Sequence, residues 1–357
     1  MQIGENRSSW NDPLLKVSAK NFPIESFSYD QTPMTGIEFG VSQQIPLTAK
    51  YKKIREAYLQ FSESVEYQAK DLQRQLTKNM WEILIENKNI KEEIGIIDEN
   101  IHWITNIVQV SERLYANGTI SQQALLDLKI RQSELEALLN NKKIEAKQQI
   151  DILEYLLGVE TASIQMESIP WHILEQVDEN PLDTKERFYE LERDAKKLSW
   201  DASKRDKIPD INVGLSYTLR SDIDQNGDFV SAMIGLPLSL YGKKSSAIKQ
   251  ALYDKNIAEL NLLDYKKHKD SELRQQKHEM EKISFELSVL NERTIEFAKN
   301  SREITSKSYS LGKSTYIELL QSELKLQELL LQRSVLEANL RDTKVAYKFL
   351  RGEKLHE

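Results

Sequence analysis

The sequence predicts a mainly α-helical chain that carries a small β part of the membrane type and is built by internal duplication. Three observations lead there: a composition poor in helix breakers, a coiled-coil periodicity that occurs in both halves, and short alternating segments placed before each helical run.

Only 12 Gly and 8 Pro interrupt 357 residues, and Leu, Glu, Lys, Gln and Ile dominate, as in long helices and coiled coils. Lys and Arg total 49 against 56 Asp and Glu, a net charge of −7. The charges alternate through stretches such as Asn87 to Glu93 and Lys266 to Lys282, which reads as solvated helix surface and gives no basis for nucleic-acid binding. The chain has no cysteine, so disulfides, thiolate metal sites and a cysteine nucleophile are excluded. Residues 1–12 lack the basic and apolar regions of a signal peptide, and export is not written in them. No stretch nears the roughly 20 apolar residues of a membrane helix; the longest uncharged run is Phe229 to Gly242. A transmembrane β-strand needs only about 10 residues of alternating polarity.

The duplication rests on two anchors. Gln44-Ile45-Pro46-Leu47 recurs as Gly235-Leu236-Pro237-Leu238, and paired lysines follow each, Lys52-Lys53 and Lys243-Lys244. Tyr115-Ala116-Asn117-Gly118 recurs 194 residues later as Tyr309-Ser310-Leu311-Gly312, and the same offset carries Leu156-Leu157-Gly158 onto Leu350-Arg351-Gly352. The first repeat is therefore set at residues 10–160, with a β-hairpin at 14–46 and a helical hairpin at 50–158. A linker at 161–182 precedes the second repeat at 183–352, with a helix at 184–207, a β-hairpin at 210–238 and a helical hairpin at 243–351.

Within the first repeat, Leu15, Val17 and Ala19 alternate with polar residues, as do Ile37, Phe39 and Val41; period two is that of a strand with one apolar face. Ile90, Ile94, Ile97, Ile101, Ile104 and Val108 then step by four and three, the seam of a coiled coil. A helix from Tyr51 to Glu112 would span roughly 90 Å at 1.5 Å per residue. Asn117-Gly118 ends it, because glycine tolerates the left-handed conformation past a helix C-terminus, and Ser121 can cap the returning helix. That helix carries Leu125, Leu128, Leu135, Leu139, Ile150 and Leu153 and stops near Gly158.

The second repeat follows the same plan. Thr184 to Lys207 is helical, Ile211 to Leu219 and Val230 to Leu236 alternate, and Lys244 to Ser308 and Thr315 to Leu350 form the hairpin about Gly312. Four amphipathic strands in two hairpins leave edges unpaired, which a membrane does not tolerate, so several copies are expected to share a barrel.

The junction Gly40 to Leu47, its repeat Ile234 to Lys243, and the turns Tyr115 to Leu126 and Tyr309 to Leu320 make the chain similar to the outer-membrane efflux proteins, the TolC-like channels. Asn11 to Leu15 with Asn21-Phe22-Pro23 resembles their heavy-metal-efflux branch. The resemblance implies an outer-membrane homotrimer whose three chains close a shared 12-stranded β-barrel in lipid. A long coiled-coil α-helical barrel would continue it through the periplasm, as a passive, non-enzymatic exit duct partnered by a periplasmic adaptor and an inner-membrane pump. It also implies a helix ahead of the first strand, and with so few residues before Leu14 part of the tube wall is expected to be absent.

As the ends of the hairpins farthest from the strands, Tyr115, Asn117, Gly118 and Thr119 with Leu311, Gly312 and Lys313 are the expected adaptor-docking tips. In the resembled family a tyrosine three residues before the tip glycine and an acid six after it face the lumen, which places a pore constriction at Tyr309 and Glu318. A second acid nine residues after the glycine is Gln321 here, while Asp127 holds that place in the first half. Three symmetry-related carboxylates would favour cations.

No other chemistry is legible. His102, His172, His268, His278 and His356 are scattered, and Met34, Met80, Met166, Met233 and Met280 show no soft-metal pattern, so no cofactor or metal is expected. Gly312-Lys313-Ser314 lacks the leading glycine of a phosphate loop, Lys307 standing there. Asp222 to Asp228 resembles the opening of a calcium loop, yet Met233 replaces the bidentate glutamate and the segment sits where a hairpin turns. Two other readings stay open: a periplasmic adaptor, which would have one hairpin rather than two, and a soluble coiled-coil scaffold, which leaves the strands unexplained.

Overall fold

In the computed structural model, residues 2–159, 169–221, 223–238 and 241–356 are described. The order is α1 (Gln2–Ser8), β1 (Leu14–Lys20), β2 (Gly36–Ile45), α2 (Lys50–Ala116), α3 (Gln122–Leu157), α4 (Thr184–Arg205), β3 (Ile211–Arg220), β4 (Phe229–Gly235), α5 (Lys243–Val289), α6 (Ile295–Ser310) and α7 (Tyr316–Arg351). The expected linker lies partly outside the described residues; its described part holds a single 3-10 turn, Trp171–Leu174. Among the described residues no helix is long and apolar enough to cross a membrane.

The chain forms two compact units that cut across the sequence halves. Met1–Ala69 with Thr184–Lys266 makes the first, Lys70–Asp183 with Lys267–Glu357 the second.

In the first unit all four strands join one antiparallel sheet, ordered β1-β2-β3-β4. The two hairpins expected from the sequence are united by β2 and β3, which pair from Gly36 with Arg220 to Ile45 with Ile211. Register aligns the apolar residues into rows: Leu15, Val41, Leu215 and Ala232 in one, Val17, Phe39, Tyr217 and Val230 in the next. Helix α4 buries Leu191, Ala195 and Ala202. It reaches α2 through Arg187 and Glu63 at 3.7 Å, and α5 through the Tyr189 and Tyr265 rings at 5.2 Å.

The second unit is a set of helices with three apolar clusters. One joins Ile97, Ile104, Leu128, Leu135 and Leu319 near the hairpin turns. Another gathers Leu290, Ile295, Leu326 and Leu330. The unbroken helix expected from Lys244 to Ser308 is instead interrupted by a π-helical turn, Leu290–Thr294. Leu290 and Ile295 stand five apart, a spacing an α-helix turns to different faces; the wider turn lets both enter one core.

The third cluster, around Trp81, Ile85, Ile173 and Val345, is closed by the C-terminal segment. The Trp81 indole donates to the Leu355 carbonyl at 2.8 Å. Lys348 and Glu353 form a buried ion pair at 2.7 Å, and the Leu182 N–H donates to the Gly352 carbonyl at 3.0 Å.

Candidate functional site: hairpin tips and a two-faced sheet

Both helical hairpins of the second unit turn through the same hydrogen bonds. After α2, Gly118 takes φ +70°, its N–H donates to Tyr115 at 2.9 Å, and the Thr119 N–H donates to Leu114 at 2.8 Å. After α6, Gly312 takes φ +68°, with Gly312 to Tyr309 at 2.9 Å and Lys313 to Ser308 at 2.9 Å. Each is a Schellman closure, which satisfies the last helix carbonyls and needs glycine at the left-handed position. All seven residues expected at the tips, Tyr115, Asn117, Gly118, Thr119, Leu311, Gly312 and Lys313, are exposed. The turns are neighbours: a Cβ on Gly312 would lie 3.5 Å from the Thr119 methyl.

The three residues expected at a constriction fall into different settings. Glu318 is exposed and closes a capping box, accepting from the Thr315 N–H at 2.9 Å and from the Ser314 hydroxyl at 2.6 Å. Ser314 first, then Thr315, hold its carboxyl below the usual carboxylate range. Asp127 is half-buried on α3 and accepts from Gln123 at 2.8 Å. It also accepts from the Tyr316 hydroxyl of α7, which raises that phenol's pKa. Tyr309 is instead inside the unit, 1% exposed. Its hydroxyl meets Ser111 on α2 at 2.8 Å, while Ser111 donates to the Ile107 carbonyl at 2.8 Å.

Sequence reasoning missed Ser111, Tyr316 and a deeper pair, Arg302 and Glu323. Glu323 is 1% exposed on α7. Arg302 approaches one of its oxygens at 3.5 Å, and the other has no hydrogen-bond partner among the described residues. Burial pushes its pKa up, against the pull of Arg302 and Arg131. The signal was present: Ser111 continues the seam of Ile97 and Ile104, and Glu323 interrupts the row of Leu319, Leu326 and Leu330.

In the first unit the sheet has two unlike faces. The apolar rows are open, with Leu15 70%, Leu215 62% and Ile234 76% exposed. On the opposite face Glu38 pairs with Lys20 and accepts from Ser216 at 3.1 Å. Strands of 7 and 10 residues extend about 24 and 34 Å at 3.4 Å per residue, the reach of a bilayer core. β1 and β4 are paired on one side only. At the helix junctions Lys50 donates to Asp206 at 2.6 Å and Asp210 at 2.7 Å, and Gln44 donates to Asp210 at 3.1 Å. Burial works to lower the Lys50 pKa, but Asp206 and Asp210 outweigh it and raise it.

The loop that resembled a calcium site is a turn held by its own side chains. Asp224 accepts from Arg220 at 2.6 Å and Asp228 from the Arg220 N–H at 2.9 Å, with Gly227 at φ +70°. Asp222 lies outside the described residues.

The chain is similar in structure to the outer membrane protein VceC from Vibrio cholerae. The two chains superpose with a TM-score of 0.79 at 16% identity, over 99% of this chain and 89% of that one. The fold is that of the outer-membrane channels. The outer-membrane channel OprN is similar at 15% identity with a TM-score of 0.78, over 99% of this chain and 83% of that one. The CmeC outer-membrane channel of Campylobacter jejuni is similar at 14% identity with a TM-score of 0.73, over 100% and 80%. No family model matches the sequence, and no curated protein sequence does. The likeness does not single out the heavy-metal branch.

Proposed function

We propose that the chain is the outer-membrane component of a tripartite efflux system, a passive duct through which an inner-membrane pump, coupled by a periplasmic adaptor, discharges its substrate. The observation that carries this reading is the sheet: one face apolar and open across all four strands, the other polar, and both edges unpaired. Lipid offers no water to satisfy such edges, so the stable arrangement is a closed barrel. Three copies supplying four strands each give the 12-stranded barrel, with the polar face turned to the lumen and the helices forming the periplasmic tube.

In this reading the tips around Gly118 and Gly312 dock the adaptor. Glu318 and Asp127 line the constriction, and Tyr309 sets its width from inside the wall by holding α6 to Ser111 of α2. Cross-linking in mild detergent and single-channel recording in planar bilayers test the proposal together. Trimers that conduct, with Glu318→Ala raising conductance or weakening cation preference, are expected. A chain that stays monomeric and never partitions into detergent would overturn it.

A further inference from the structure

The lysines that follow each strand-to-helix junction have no part in the duct as described. In the first unit a cavity of about 490 Å³ lies against both junctions, within the range of small-molecule sites. Three cations reach it, Arg7 of α1, Lys50 of α2 and Lys244 of α5, against one acid, Asp206. Lys50 is fixed by Asp206 at 2.6 Å and Asp210 at 2.7 Å, and Lys244 stands 3.6 Å from Asp206. Ile54 and Tyr58 add an apolar wall.

The helices beginning here reinforce that positive field. A helix N-terminus carries roughly half a positive charge, so acids are favoured in the first turn. Helices α4 and α7 obey, with Glu186 and Glu318, while α3 has no acid there but is capped by the Ser121 side chain. Helices α2 and α5 have no acid in the first turn and begin on Lys50 and Lys243. Asp206 and Asp210 offset two of the three cations, and the remaining positive charge, with two helix starts around one partly apolar cavity, is one that a bound anion would neutralise.

We propose that this cavity binds small organic anions that join an acidic head, carboxylate or phosphate, to an apolar body. The head sits among Arg7, Lys50 and Lys244, and the body lies on Ile54 and Tyr58. The inference rests on the first unit alone, so a chain that binds such an anion yet forms no conducting pore keeps this proposal and loses the channel reading.

The test uses the full-length protein in nanodiscs of zwitterionic lipid, titrated with 1-naphthoate and with the neutral 1-naphthamide. Naphthoate is expected to bind at least tenfold more tightly than the amide. Its affinity should fall tenfold or more in the double variant Arg7→Gln/Lys244→Gln, and in Lys244→Glu alone, with unchanged helical circular dichroism. Equal binding of acid and amide, or unaltered affinity in both variants, overturns the proposal. Repeating the titration in discs of anionic phospholipid identifies the source: competition assigns the head group to a lipid, and unchanged binding assigns it to a soluble anion, either of which upholds the anion site.

Discussion

The two helical hairpins share the geometry of their caps and turns and differ in what surrounds them. At an offset of 194 residues, Ser121 and Thr315 cap their helices through the N–H three residues on, at 3.2 and 3.3 Å. Gly158 and Gly352 both leave their helices in the left-handed region, at φ +66° and +82°. Yet Tyr115 is 43% exposed and its counterpart Tyr309 is 1% exposed. A Cβ on Gly158 would meet nothing within 4 Å among the described residues, while one on Gly352 would come 2.5 Å from the Asp183 nitrogen. Main-chain geometry follows local sequence, but burial depends on which side of a hairpin receives a neighbour.

The sharpest way to break this comparison is to truncate the two tyrosines. Tyr309→Ala should cost about 3–5 kcal/mol, as for other buried rings, while Tyr115→Ala should stay within about 0.5 kcal/mol. Denaturant unfolding followed by circular dichroism measures both. Equal costs would mean that the Tyr309 core does not form.

The glycine pair comes next. Gly352→Ala adds a backbone clash to left-handed strain and should cost about 3 kcal/mol. Gly158→Ala should lose only about 1 kcal/mol, for the strain alone. A shared small loss in the same unfolding series would show that the segment at Leu182 and Asp183 yields readily.

Asp342 sharpens the contrast, because its counterpart is the neutral Gln148. Burial, then Glu82 and Glu86, push its carboxyl up from 3.8 to about 6. The folded state therefore holds the proton more tightly than the unfolded chain, and stability falls as pH rises from 3.8 to about 6. Asp342→Asn should stabilise the protein at neutral pH by on the order of 1 kcal/mol, after allowance for solvent screening. The gain should vanish below about pH 4, where both states are protonated. A gain independent of pH would assign the effect to packing.

The smallest effect separates the caps. Thr315→Ala should cost about 1 kcal/mol, and part of that loss should depend on pH because the second half of the box is the Glu318 carboxylate. Its folded pKa lies below 4.5, so its contribution is present above 4.5 and disappears as pH falls through the folded value. Ser121→Ala, whose N3 residue is Ala124, should lack this dependence. Thermal scans at neutral and acidic pH compare the two.

Much of this was legible in the sequence because its causes are local. Period-two alternation named the strands, the four-and-three stepping of Ile90 to Val108 named the coiled coil, and Asn117-Gly118 and Gly312 named the turns. Each signal depends on residues within a few positions of one another. Only the tertiary structure joined β2 to β3, since residues as far apart in sequence as Ile45 and Ile211 carry no mark of being neighbours. It alone placed Tyr309 inside and Tyr115 outside, opened α5 into a π turn at Leu290, and buried Glu323 on α7 within reach of Arg302. Those outcomes are set by which helices meet and at what rotation. Long-range packing decides that, and no short stretch of sequence contains both of the surfaces involved.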